Sequence, residues 1–431
     1  MIINNNKADK VEPMFKSLSQ KTKASYFLIL AMAFIYFSSG SMLLYLPKFF
    51  VHLGSTKQEA GFLVALSVIP FVLLSILSGH LANKFGSWRL VLLGNILHFS
   101  AALLFITVDE VSPLVYLLRI MQGIGHVCVF TPLFTSVARI VPDNFKAQGI
   151  GYFTIAIQFG TASGSFLGEL AINNLGYTKF FLIVAFMNTL CALASGYLRG
   201  SEDETHAGTA NSLGEPNGTK WLLVFGGMTL ILVLGGVFGT LLQFIPVYFD
   251  EMLTSGVIAE AIPGRAFLTS GLITVACIRL LGGKYSDGKH KGVIVAVCNI
   301  GLLVVLYLIT YIDSITTSLL VSIMFGGFYG LLYPMTNAYV LTKVGAKVRG
   351  AVTGSLTMLF EIGFRGYALV AGIVAHHLGF EWMFYSMVVF YAVGALFYYL
   401  TILVSSRRDF EDVVTDEDQT VFEEGMVVDK E

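Results

Sequence analysis

Two acids stand inside stretches that carry almost no other charge, Glu169 and Glu361. An ionisable group in such surroundings is costly unless it is hydrated, paired or put to use. Glu361 is followed four residues later by Arg365, which on a helix places a carboxylate and a guanidinium on one face, a turn apart. Two readings are open for the pair. It can be a structural ion pair turned to the interior, or Glu361 can take and release protons while Arg365 tunes it or holds an anion. A neighbouring cation favours the ionised carboxylate and burial disfavours it, so the balance is adjustable. Arg119 and Glu169 form a second set. Each lies about five residues from the same end of its apolar stretch, ~7–8 Å deep at about 1.5 Å per residue. The sequence therefore predicts that these two approach as an ion pair.

Uncharged polar groups accompany them. Gln122 and His126 share a helical face with Arg119, while Gln158, Gln243 and Asn337 sit in other apolar stretches, as do His98, Asn188 and Asn299. A histidine titrates near neutral pH, so His126 is a candidate for a polar cavity, and His98 reads as a helix–helix contact. Tyr36 and Tyr45 are amphipathic candidates for lining a path. The first apolar stretch holds no acid, so no proton site is expected on it.

These side chains need a scaffold suited to lipid. Of the 431 residues, 55% are apolar and 13% charged, against about 25% charged in an average soluble domain. Residues 221–248 and 293–312 have no charge at all, and a run of about 20 apolar residues crosses the hydrocarbon layer as a helix. Helices serve there because lipid cannot satisfy an open backbone. The net charge of −1 leaves no basic footprint for nucleic acid. The four cysteines, Cys128, Cys191, Cys277 and Cys298, lie in apolar runs and read as small hydrophobes, with neither metal nor disulfide implied.

Twelve helical spans are expected, at 26–48, 60–82, 90–108, 114–137, 149–172, 180–198, 221–248, 266–283, 293–311, 317–341, 351–374 and 382–405. Residues 1–25 read as an N-terminal tail, 26–198 and 221–405 as two six-helix bundles, 199–220 as the linker between them, and 406–431 as an acidic, solvated and disordered tail. Of the 27 lysines and arginines, twenty fall on the side that holds both termini and only four, Lys48, Lys57, Lys179 and Arg265, on the other. Positive residues stay in the cytoplasm, so both termini are expected there.

An ordered series of matches relates the halves. LYLPKFF at 44–50 pairs with QFIPVYF at 243–249, Gly79 and Asn83 with Gly283 and Asp287, and Pro132 with Pro334. Gly151, Gly160 and LGYTKFF at 175–181 pair with Gly354, Gly363 and LGFEWMF at 378–384. A duplicated six-helix unit is a parallel transporter repeat.

Three motifs carry a resemblance. GHLANKFGSWR, from Gly79 to Arg89, resembles the G-x-x-x-D-(R/K)-x-G-(R/K)-x-(R/K) loop of the major facilitator superfamily, with Asn83 in place of the acid and Lys84, Gly86 and Arg89 retained. Its second copy sets Arg279, Gly283 and Asp287 at four-residue steps; the resemblance implies that this loop latches the halves. RIMQGIG, from Arg119 to Gly125, is similar to the family's R-x-x-x-G-x-G motif, whose arginine is linked to proton coupling. Gly151, Gly160, Gly164 and Gly168 match the spacing of the helix 5 antiporter motif of the drug-efflux branch, although Ser165 replaces its proline and Glu169 its last glycine.

The resemblance, to bacterial exporters of drugs, sugars, opines and metallophores, implies an all-α membrane protein of major facilitator fold in the bacterial inner (cytoplasmic) membrane. Its expected work is secondary active transport by alternating access, as proton-coupled export of a small polar organic solute. A proton-coupled importer of a metallophore or nutrient is the alternative, and a non-transporting scaffold would need an interior filled with bulky apolar groups. The expected partners are a small-molecule substrate, protons and the bilayer, with the chain working as a monomer. The sequence has no G-x-x-x-x-G-K-(S/T) phosphate loop, so an ATP-driven pump is not expected. With no paired Cys/His spacing and no long polar segment for a catalytic domain, neither enzymatic chemistry nor a cofactor is expected.

Overall fold

The computed structural model describes residues 19–142, 146–202, 220–282, 291–345 and 349–427. Among them there is no strand. Ser19 opens α1 (Gln20–Met42) by accepting the Thr22 amide on its hydroxyl. A 3-10 turn at Leu43–Tyr45 leads into α2 (Leu46–His52), with Pro47 in its first turn. Thr56 caps α3 (Lys57–Leu66), and α4 (Val68–Phe85), α5 (Ser87–Phe105), α6 (Pro113–Ile140) and α7 (Lys146–Glu202) follow. Next come α8 (Trp221–Thr254), α9 (Gly264–Gly282), α10 (Lys291–Leu308) with a 3-10 turn at Ile309–Tyr311, α11 (Ile315–Thr342), α12 (Arg349–His377) and α13 (Phe380–Val427).

Ten stretches are long and apolar enough to cross a membrane, α1 and α2 counting as one. The stretch Gly149–Tyr197 is 49 residues long and is interrupted at Gly176, so it holds two crossings of about 20 residues. α9, with 19 residues, completes the twelve. Leu73, Leu193, Val389 and Leu403 are exposed along their helices, as lipid contact requires.

Two differences from the sequence reading have local causes. The span expected at 60–82 is broken: α3 ends at Leu66 and α4 begins at Val68. Pro70 has no N–H for the Leu66 carbonyl and its ring crowds that carbonyl. At the other end of the chain, the tail expected to be solvated and irregular is helical as far as Val427. No glycine or proline lies between residues 395 and 424 to stop α13.

The described residues form two compact units. One is drawn from Met1–Leu43, Leu73–Val108 and Ile120–Thr209, the other from Leu44–Val72, Asp109–Arg119 and Ala210–Glu431. Turns of the same backbone hand recur at positions the repeat matches. Gly176 (φ 78°) in the first and Gly379 (φ 92°) in the second turn the chain at matched positions, as do Gly54 (φ 87°) and Gly256 (φ 75°) within the second. Backbone of this hand suits glycine alone. In the first unit Gly160 of α7 lies so close to α1 that a Cβ would stand 2.5 Å from the Phe34 carbonyl oxygen, and Gly164 meets Ser38 in the same way. Its repeat partner Gly363, on α12, lies against the backbone of α8, where a Cβ would be 2.8 Å from the Gly236 nitrogen. The helix 5 glycines at 160 and 164 therefore act as close-packing positions. Around that seam the first unit packs Tyr26, Ile29, Met32, Tyr36, Val129, Leu133 and Phe153 into a continuous core.

Candidate functional site

In the second unit, α12 carries the pair read from sequence. Glu361 and Arg365 form a salt bridge one turn apart. Glu361 is only 9% exposed. The Arg365 guanidinium also stands 5.9 Å from the Phe71 ring centre and 5.5 Å from that of Phe364, so apolar ring faces border the ion pair and hold the cation over them. Gln243 of α8 is buried beside it. Its amide donates to Gly239 O on its own helix (2.8 Å) and to Phe364 O on α12 (3.1 Å), tying the two helices together. Asn337 donates to Tyr333 O one turn back on α11 (2.9 Å).

Arg119 is explained by the broken helix. Because Ser67 donates its amide to Val64 O, the Leu63 carbonyl loses its usual partner four residues on. Arg119 of α6 fills the gap: Nε donates to Leu63 O (2.8 Å), and Nη2 to Val64 O and to Ser67 Oγ (both 3.2 Å). A cation at the negative end of α3 is favoured twice, by the dipole and by charge-assisted hydrogen bonds. Arg365 lies within electrostatic reach of it. Replacing Arg119 with glutamine is expected to destabilise the purified protein by about 3 kcal/mol, since charged hydrogen bonds contribute roughly 1.5–3 kcal/mol each. Arg119→Lys should fall between, having no fork to reach two carbonyls. Thermal unfolding in detergent checks this; unchanged stability with lost proton dependence would point instead to a coupling role.

The other half of the sequence's list lies in the first unit. Gln122, Gln158 and Glu169 are buried and His126 is half-buried. Glu169 and Arg119 belong to different compact units, and their pairing stays an expectation. Gly151 faces open space, where a Cβ would meet nothing within 4 Å, and Gly168 is buried.

The loop motif is described in part. Gly86 turns the chain with φ 87°, Arg89 donates to Phe85 O at the end of α4 (3.3 Å), and Lys84 lies over the Phe85 ring at 5.3 Å. Gly79 and Asn83 lie in α4. In the second copy, Arg279 lies over the Tyr333 ring at 5.3 Å, and Gly283 and Asp287 fall outside the described residues. Among the described residues no cluster of His, Cys, Asp or Glu could hold a metal.

One feature of the second unit escaped the sequence. α3 and α12 cross with Gly61 against Gly372: a Cβ on Gly372 would be 2.7 Å from Lys57 O and 2.9 Å from the Gly61 Cα. Alongside, Lys48 pairs with Asp250 (2.8 Å) and Lys57 with Glu251 (2.5 Å), and Lys57 also sits 4.5 Å over the Phe380 ring. These contacts join α2 and α3 to α8, α12 and α13 within the second unit. Neither glycine belongs to a recognisable motif, and only their isolation in long spans signalled them.

Comparison with known proteins agrees with this architecture. The family model described as Major Facilitator Superfamily matches residues 28–364. The chain belongs to that superfamily of multi-pass membrane transporters. Quinolone resistance protein NorA of Staphylococcus aureus is 28% identical over 141 residues, 32% of this chain and 36% of that protein. Multidrug resistance protein 2 of Bacillus subtilis is 24% identical over 186 residues, 43% of this chain and 46% of that one. The chain thus spans less than half the length of either relative. The human organic anion transporter MFSD10 (TETRAN) shares the fold, with a TM-score of 0.62 at 15% identity, over 88% of this chain and 99% of that one.

Proposed function

We propose that the protein exports a small polar organic solute across the bacterial inner membrane in exchange for protons, with both termini in the cytoplasm. The bundles 26–198 and 221–405 rock about the linker 199–220 in alternating access. The observation that supports this most is the pairing of buried Glu361 with half-buried Arg365. Exchange requires that solute and proton compete for one group. A solute amine competes with a proton for the Glu361 carboxylate, whereas an anion alone would bind Arg365 best when Glu361 is protonated and would travel with the proton. A zwitterion splits the pair, its amine on Glu361 and its carboxylate on Arg365. It binds the ionised site and leaves when a proton arrives. The quinolone and multidrug resistance relatives support the outward direction, and norfloxacin, which has both a carboxylate and a basic amine, is a suitable probe.

Everted membrane vesicles expose the cytoplasmic face. With an acid lumen they are expected to accumulate norfloxacin only when the protein is present. Accumulation confined to right-side-out vesicles would favour the import reading.

A further inference from the structure

Tyr36 on α1 stands between two imidazoles in the first unit. Its hydroxyl lies 3.0 Å from His98 Nε2 on α5 and 2.9 Å from His126 Nδ1 on α6. The Tyr36 side is closed, with the tyrosine 2% and His98 5% exposed. His126 is half-buried and stacks parallel to Phe130 (5.8 Å, 2°) and close to parallel with Tyr36 (5.9 Å, 24°). Room for His98 depends on Gly125, where a Cβ would stand 2.7 Å from the His98 ring. No acid lies on α1, α5 or α6. The other titratable and charged side chains of these packed helices are Lys21, Lys23 and Tyr26 on α1, Arg89 on α5, Tyr116, Arg119, Cys128 and Arg139 on α6, and Lys146, Tyr152, Glu169, Tyr177, Lys179, Cys191, Tyr197, Arg199 and Glu202 on α7. Tyr26 is committed to Gly149 O and Cys191 to Met32 O.

We propose that Tyr36, His98 and His126 form a one-proton site, a second titratable centre of the transporter besides Glu361. A hydroxyl has one hydrogen, so Tyr36 donates to one histidine and accepts from the other. In the neutral triad, His126 Nδ1–H donates to Tyr36 Oη and Tyr36 O–H donates to His98 Nε2, or the reverse. In the first arrangement a proton added to His126 Nε2 makes an imidazolium and leaves both contacts intact. If Nδ1 then gives its proton to Tyr36 as Tyr36 gives its own to His98 Nε2, the charge moves from α6 to α5 with no heavy atom displaced. A second proton would make both imidazoles donors onto one oxygen and place two like charges about one hydroxyl apart. The triad therefore takes one proton and resists the next, and it links the motif helix α6 to α1 and α5. That this proton takes part in transport rests on the proton-coupled reading; that the triad binds it does not.

The test is a pH titration of 15N-histidine-labelled protein in lipid nanodiscs, with signals assigned through His98→Asn and His126→Asn. The two rings are expected to share one imidazolium over at least two pH units. Tyr36→Phe, which removes one oxygen, should make them titrate independently and shift the pH profile of norfloxacin transport. Rings that titrate independently in the unmodified protein, or a Tyr36→Phe variant with unchanged titration and profile, would overturn the proposal. Absence of transport by the unmodified protein would instead count against the exporter reading and leave the titration result standing.

Discussion

Glu361→Gln is expected to abolish the response of transport to a proton gradient while the protein still folds. The amide has nearly the same shape as the carboxylate, and its oxygen can still accept from Arg365 one turn along α12. It cannot ionise, so solute and proton no longer compete for it. Gradient-driven norfloxacin accumulation should fall to the level of vesicles without the protein. Passive exchange of labelled for unlabelled norfloxacin should survive in part, because Arg365 still meets the carboxylate. Some loss of stability will accompany the change, since an arginine inside a span costs several kcal/mol without an ionised partner. Arg365→Lys is milder: a point charge keeps the ion pair but loses the flat guanidinium that lies over Phe71 and Phe364. Transport rates in proteoliposomes, with and without a gradient, separate these outcomes.

Gly372→Leu is expected to hold the α3–α12 seam apart and stop transport altogether. A Cβ at this position meets the α3 backbone at two points, Lys57 O and the Gly61 Cα, and backbone has no rotamer by which to retreat. The helices must separate, and the Lys48–Asp250 and Lys57–Glu251 pairs stretch with them. These half-buried pairs, each open to solvent on its acidic partner, are worth about 1 kcal/mol apiece, too little to pull the seam shut again. Spin labels on Ser55→Cys and Ser255→Cys, in a background without native cysteines, should lose their shortest distance population in the Gly372→Leu variant. Gly366→Ala on the same helix is the control, because its Cβ would meet only Ile362 at an ordinary 3.9 Å. Wild-type distances and transport are expected there.

What the sequence revealed depends on how far apart the cooperating residues are. Glu361 and Arg365 stand one turn apart in an otherwise apolar helix, so both the pair and its burial were legible. The repeat was legible as well, because matched glycines at 176 and 379 mark turns that no other residue adopts easily. Arg119 in an apolar span needs a partner, yet its hydrogen-bonding partners include the Leu63 and Val64 carbonyls of another helix, the first of them released by the break before Pro70. Pro70 was there to be read; which side chain would use the freed carbonyls depended on the tertiary approach of α3 and α6. The same limit hid Gly61 against Gly372, more than 300 residues apart. It also split the triad, since His126 was a candidate and His98 a packing contact until Tyr36 was found between them. Contacts within one helix follow from periodicity, and contacts between helices do not.

The sign of proton movement on solute entry tests the central claim most directly. Purified protein is reconstituted into liposomes that trap a pH-sensitive dye, and norfloxacin is added outside with no initial pH difference. Exchange predicts that the lumen turns alkaline as solute enters and protons leave, faster than in protein-free liposomes, and that Glu361→Gln removes the difference. An acidifying lumen, with proton and solute entering together, or an alkaline signal undiminished in Glu361→Gln, would contradict it.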